Sequence, residues 1–191
     1  PDLSPISIIT FSRGYIDYSW ELEYNYYNRT NWYGDYFSPF YPTPNPPDDN
    51  VNINFLRNST LPMQSIVDEV NSTNLGLNSY IDINGDPGRF VSEFMGYHGV
   101  WYHDLYQFDM NSPCLLAGHV HVGGLIDWNT AKDAAEITID KVIQELDTYM
   151  YIPGDANDDS SINVLDSSIP LVAPNSRKVF SNLSFITNDT K

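Results

Sequence analysis

The sequence holds one cysteine, Cys114, and that excludes an internal disulfide. Its setting, the apolar run PCLLAG, marks it as a small buried hydrophobe rather than a reactive thiol. Basic residues are scarce. Nine Lys and Arg stand against 25 Asp and Glu, for a formal net charge of −16. Binding to a phosphate backbone needs clustered Lys and Arg, so a nucleic-acid partner is excluded. No apolar run approaches the roughly 18 residues of a membrane-spanning helix, so no span is expected. Also missing are a G-x-S-x-G elbow, a glycine-rich phosphate loop and a Cys–His signature for nucleophilic catalysis. The first residues, PDLSP, carry neither Met nor a signal sequence, which is expected of a chain cleaved by a secretion peptidase.

What is present is a globular composition. Hydrophobic residues make up 41% and aromatics 14% of 191 residues, enough for one well-buried core and a single domain over residues 1–191. The best internal boundary is PTPNPPDDN, residues 42–50, whose prolines continue neither a helix nor a central strand. Three helices are legible, over 62–70, 87–97 and 129–150. The first has Pro62 in its opening turn and Met63, Ile66, Val67 and Val70 on one face. The second has Asp86 as N-cap and Pro87 at its first position. The third has a capping-box pattern at Thr130 and Asp133 and a stripe running from Ala135 to Met150. ISIITF (6–11), much of 15–41, GVWYHDLYQF (99–108), PCLLAGHVHV (113–122) and RKVFSNLSFIT (177–187) read as strands. Strands and helices without regular βαβ alternation predict an α+β fold, with a mixed or antiparallel sheet and extended terminal segments.

The most specific pattern is GDANDDSSINVLD, residues 154–166. Asp155, Asn157, Asp159, Asn163 and Asp166 occupy the spacings at which a flexible loop offers side-chain oxygens to Ca²⁺, with the carbonyl of Ser161 between them. This stretch resembles the calcium loop of dockerin domains, paired EF-hand-like modules. The resemblance covers only these residues, has Ser160 where a glycine is usual, and is followed by helix-breaking prolines, so it implies the ion site and not the binding of cohesins. A second, weaker match places Asp82, Asn84, Asp86 and Glu93 at corresponding spacings.

All four histidines fall between residues 98 and 121. On a strand, His119 and His121 project from one face, as ligands of Zn²⁺ or another transition metal would, with His98 and His103 as further candidates. LLAGHVHVGG also resembles the G-H-x-H motif of calcineurin-like metallophosphoesterases, but the other metal-ligand motifs of that family are absent here. Packing of half-buried histidines among Trp101, Tyr102 and Tyr106 is the alternative. Sequons stand at Asn28, Asn58, Asn71, Asn182 and Asn188.

These features together predict an exported, extracellular, calcium-stabilised and glycosylated structural or surface protein. It would assemble with copies of itself through strand addition by a terminal segment such as residues 1–11. Two alternatives are a calcium-containing carbohydrate-binding module and a metal-dependent hydrolase using His98–His121. The first would stack sugars on Tyr24, Tyr26, Tyr27, Trp32, Tyr33 and Tyr36.

Overall fold

A computed structural model describes residues 4–30, 32–33, 45–85 and 88–150. The chain divides into two units, Pro1–Tyr149 and Met150–Lys191, and the account below concerns the first. Its fold is α+β. Strands β1 (Ser7–Arg13), β2 (Ser19–Glu23), β5 (Asn78–Asp82) and β6 (Leu116–Val122) form a four-stranded mixed sheet in the order β1-β6-β2-β5. β1 lies parallel to β6, β6 antiparallel to β2, and β2 parallel to β5. β3 (Asn25–Tyr27) and β4 (Leu56–Asn58) make a separate antiparallel pair.

Strand alternation sorts the two faces. Trp20, Leu22, Leu116 and Val120 turn to one side, where they meet Met63, Ile66, Val67 and Val70 of helix α1 (Met63–Ser72) and Ala134, Ala135, Val142 and Leu146 of helix α3 (Trp128–Met150). Each buried Leu, Ile, Val or Met among them contributes about 1.5–3 kcal/mol. The indole of Trp20 donates to Thr138 Oγ1 at 3.1 Å, satisfying the one polar atom it brings into that core. On the opposite face Ala117 packs with Tyr26 and with Tyr97 and Val100 of helix α2 (Val91–Tyr106). Ile8 and Trp101 border this smaller cluster.

Three local expectations are corrected. GVWYHDLYQF is not a strand, because its residues to Tyr106 continue α2. Its Tyr, Trp and Val favour strands in isolation, but Tyr97, Val100 and His103 recur at helical spacing and are buried. The same helix begins at Val91 rather than at residue 87, since Gly88 and Arg89 have φ of 98° and 62°, which no right-handed helix admits. The cap of α3 is Asp127, not Thr130. Its carboxylate accepts from the backbone N–H groups of Asn129 and Thr130 and from the Thr130 hydroxyl.

Within the proline-rich stretch, Asp48 is drawn into the interior. It accepts from Arg57 Nη2 at 2.8 Å while its own N–H donates to Asn28 Oδ1. Arg57 also reaches Asp104 at 2.6 Å and the hydroxyl of Tyr97, so β4 and α2 are tied by one guanidinium.

Candidate functional site

The face of the sheet beneath α2 carries a polar stripe. Thr10 and Ser12 on β1, His119 and His121 on β6, Glu21 and Glu23 on β2, and Tyr80 and Asp82 on β5 occupy its alternate positions. The register sets Thr10 beside His119, Ser12 beside His121, Glu21 opposite His121, and Glu23 opposite His119.

At its centre His119 is fully buried, and burial, helped by the neighbouring His121, holds its imidazole well below the usual histidine range. Both ring nitrogens are partnered, Nδ1 with Thr10 Oγ1 at 2.7 Å and Nε2 with Ser12 Oγ at 2.8 Å. Thr10 also donates to the Gly118 carbonyl at 3.4 Å. That leaves its oxygen to accept from Nδ1–H, and the Ser12 hydroxyl to donate to Nε2. His119 is therefore a satisfied neutral residue.

His121 meets carboxylates instead. Its Nδ1 lies 2.7 Å from Glu23 Oε1 and 3.9 Å from Glu21 Oε2. The rings of His119 and His121 stand edge to face, 4.8 Å apart. Glu23 is 2% exposed, and its second oxygen, Oε2, has no hydrogen-bond partner among the described residues. Glu21 accepts from the Tyr80 hydroxyl. Burial first, and the Glu23 charge second, raise the Glu21 carboxyl, while the Tyr80 phenol is pushed to about 12, mainly by burial and by Glu21. The backbone of the dyad is fixed by Tyr26, whose buried hydroxyl donates to the Glu23 carbonyl and accepts from the His119 N–H, both at 2.8 Å.

Helix α2 is laid over this stripe in a definite register. A Cβ on Gly99 would lie 3.2 Å from Ile8, the β1 partner of Ala117, and a Cβ on Gly96 would lie 3.0 Å from the His119 Cβ and 2.6 Å from the Tyr26 ring. The helix thus runs antiparallel to β6, with glycine where it crosses closest. One turn back from Gly96, about 6 Å along the axis, is Ser92, and two residues on from His119, about 6.6 Å, is His121. Ser92, buried, lies on the first turn of this helix. The sharp Gly88–Arg89 turn just before it is braced by Glu93. That carboxylate, fully buried, accepts from Arg29 Nε at 2.9 Å and from the backbone N–H groups of Tyr27 and Arg89.

Cys114 is buried, its Sγ 3.9 Å from the Leu116 carbonyl, and burial pushes its thiol to about 11. It is a packed hydrophobe, as its sequence setting implies.

The four histidines do not form one centre. His119 and His121 share a strand face as expected, but His98 and His103 belong to α2. There His98 Nδ1 contacts the Phe94 carbonyl at 2.8 Å, and His103 Nδ1 lies 3.4 Å from Asp104. Among the described residues, the His, Cys, Asp and Glu atoms that converge as ligands would are those of Glu21, Glu23 and His121, within 4.8 Å of one another. Glu21 and Glu23 were not singled out by sequence. The signal was SWELE, a strand whose carboxylates alternate with Trp20 and Leu22. Of the second calcium candidate, Asp82 accepts from Gly85 N–H at 2.6 Å and Glu93 is engaged by Arg29, while Asp86 lies outside the described residues. The loop of Asp155, Asn157, Asp159, Ser161, Asn163 and Asp166 lies wholly outside them, as do Asn182, Asn188 and the tail strand. Asn28 is fully buried and donates to the Asp48 carbonyl at 2.7 Å, leaving no room for a glycan. Asn71 exchanges two hydrogen bonds with the Ser79 backbone, and Asn58 donates to Asn25. The aromatic platform is dispersed: Tyr26 and Trp32 are interior, Tyr24 and Tyr33 are exposed, and Tyr36 is outside the described residues.

Several solved structures share this fold. They are pyrrolidone carboxyl peptidases. The enzyme from Pyrococcus furiosus, solved with its Cys-free mutant, matches with a TM-score of 0.60 at 14% identity, over 74% of this chain and 71% of that one. A point mutant of the same enzyme gives 0.59 at 15% identity over the same shares. The enzyme from Thermococcus litoralis gives 0.59 at 14% identity, over 75% of this chain and 68% of that one. No protein-family model matches the sequence, and no curated protein matches it.

The shared fold overturns the expectation of a structural surface protein that self-assembles. The physical reason lies partly in β1. From Ser7 on, the segment expected to add to a neighbour's sheet pairs with β6 of its own chain. No helix among the described residues is long and apolar enough to cross a membrane.

Proposed function

We propose that the protein is a hydrolase of acyl bonds, a peptidase or amidase in its chemistry, with Ser92 as nucleophile, His121 as general base and Glu23 as the carboxylate that orients it. The observation that carries this reading is the His121 Nδ1 to Glu23 Oε1 contact of 2.7 Å, on the sheet face that α2 packs against, in a fold shared with peptidases. A buried carboxylate on Nδ1 fixes the imidazole tautomer so that Nε2 is the basic nitrogen. It also stabilises the imidazolium formed when Nε2 takes the serine proton. The N–H groups at the start of α2 are of the kind that can face a developing oxyanion. Serine, rather than cysteine, fits this chain because its one thiol, Cys114, sits apart from the dyad in its own buried contact with Leu116.

The substrate to try first is an amide of pyrrolidone carboxylic acid, the group in the names of the similar enzymes. Release of a fluorescent amine from such a substrate is expected with the wild-type chain. Ser92→Ala and His121→Ala should each lower kcat by at least about a thousandfold, as removal of a triad member does elsewhere. Full activity in Ser92→Ala, or no turnover of any amide or ester in an acyl panel, would sink the proposal.

A further inference from the structure

We propose that Glu21, Glu23 and His121 form a binding site for a divalent transition cation of the zinc class, and that occupancy of this site shuts down the His121–Glu23 dyad.

The three ligand atoms already lie within 4.8 Å of one another. Zn²⁺ holds nitrogen and oxygen ligands at about 2.0–2.2 Å, so ligand atoms in a tetrahedral site stand roughly 3.3–3.6 Å apart. Small rotamer adjustments of Glu21 and His121 suffice to close around an ion. An independent observation points the same way. Glu23 is 2% exposed, yet its Oε2 has no partner among the described residues, and a buried oxygen left over on a charged group is unusual. A cation supplies that partner. It also neutralises two carboxylates that otherwise face each other across one imidazole. Tyr80, donating to Glu21, is the outer hydrogen bond that holds a ligating carboxylate in place. The Glu21 and His121 side chains are 15% and 11% exposed, which gives an entry path and an open fourth position.

The donor set selects the ion. One imidazole with two carboxylates suits Zn²⁺, Co²⁺ or Mn²⁺, whereas Ca²⁺ needs six or more oxygens that this face does not gather. His119 does not join, because Thr10 and Ser12 occupy both its ring nitrogens. An ion held between Glu23 and the His121 ring takes the place of the hydrogen bond that orients the base. Inhibition therefore follows, and that clause alone rests on the hydrolase reading above.

The test uses the full chain, stripped with a chelator and titrated calorimetrically with ZnCl₂ alone, and with CoCl₂ followed by visible absorption. One ion is expected at this site, with the strong absorption of four-coordinate Co²⁺. Glu21→Gln should weaken binding by about tenfold or more, and Tyr80→Phe by a smaller factor. Circular dichroism establishes that each variant is folded, and Tyr80→Phe stands in if Glu21→Gln is not. Ser92→Ala should bind zinc as the wild type does, which separates the two proposals. If that variant binds zinc but the wild type hydrolyses nothing, the metal site stands and the hydrolase falls. Identical zinc titrations for wild type, Glu21→Gln and Tyr80→Phe, or no four-coordinate Co²⁺ spectrum, would overturn the site. Where turnover is measurable, micromolar zinc should inhibit it and a chelator should restore it.

Discussion

His119 and His121 are two residues apart on one strand face and meet opposite conditions. His121 has a carboxylate against Nδ1, while His119 has only hydroxyls, in a fully buried position. A proton on His119 would be an uncompensated buried charge, so its pKa in the fold lies well below the ordinary 6.5. Between that depressed value and 6.5, the unfolded chain binds a proton that the folded chain does not. This contribution to stability is thus complete above pH 6.5 and is lost as the pH falls, by up to about 1.4 kcal/mol per pH unit. Glu21 acts in the reverse sense. Its raised carboxyl contributes stability at pH values below its unfolded value of 4.5, and that contribution is lost as the pH rises through the folded value. Denaturation midpoints of wild type and His119→Gln at pH 7 and pH 5 isolate the histidine. The wild type should lose more stability than the variant on acidification, and equal losses would contradict the neutral buried assignment. At this scale the pairing of the two histidines was legible from period two alone. Their difference was not, because it is set by what β1 and β2 place beside them, and strand order is not written in either strand.

Helix α2 shows how local preference yields to packing. Residues 99–108 are rich in strand formers, and nothing local signals that they continue a helix. What decides is the approach of Gly96 and Gly99 to the sheet, a separation available only where two glycines lie on one helical face. Gly96→Ala is expected to destabilise the protein by about 1–3 kcal/mol, since the new methyl would meet the Tyr26 ring at 2.6 Å and the His119 Cβ at 3.0 Å. Both neighbours are fully buried and Tyr26 is held by two hydrogen bonds, so neither gives way cheaply. Shifted denaturation midpoints check the size of the effect, and a neutral substitution would mean that the helix lies farther from β6. By contrast α1 and α3 were readable within a few residues, because their apolar stripes are long and face one continuous core. The start of α2 was misplaced for a definite reason. Asp86-Pro87 is a strong initiation signal, but the left-handed Gly88 and Arg89 intervene, and backbone handedness at a non-glycine residue leaves little trace in sequence.

At the scale of the whole first unit, the site is assembled from pieces far apart in the chain, and buried polar groups do the joining. Glu93 is the clearest. It belongs to α2 by sequence, but its carboxylate binds Arg29 just beyond β3, the Tyr27 N–H within β3, and the Arg89 N–H in the turn before its own helix. One side chain thus locks the first turn of α2, and Ser92 with it, against the segment that leaves the sheet after Glu23. Removing one partner of a buried ion pair leaves the other charge stranded, at a cost of about 3–5 kcal/mol. Glu93→Gln keeps the volume and two acceptor or donor positions but removes the buried charge that faces Arg29, so a loss of thermal stability is expected. Any hydrolytic activity should fall further than the unfolded fraction explains, because the turn that carries Ser92 is released. The double variant Arg29→Met with Glu93→Leu removes both charges and should recover much of the stability. It should not recover the activity, since the Arg89 and Tyr27 amides still lack their acceptor. If the double variant regained full turnover, the carboxylate would be serving stability alone, and the position of Ser92 would have to be fixed by the packing of Gly96 and Gly99.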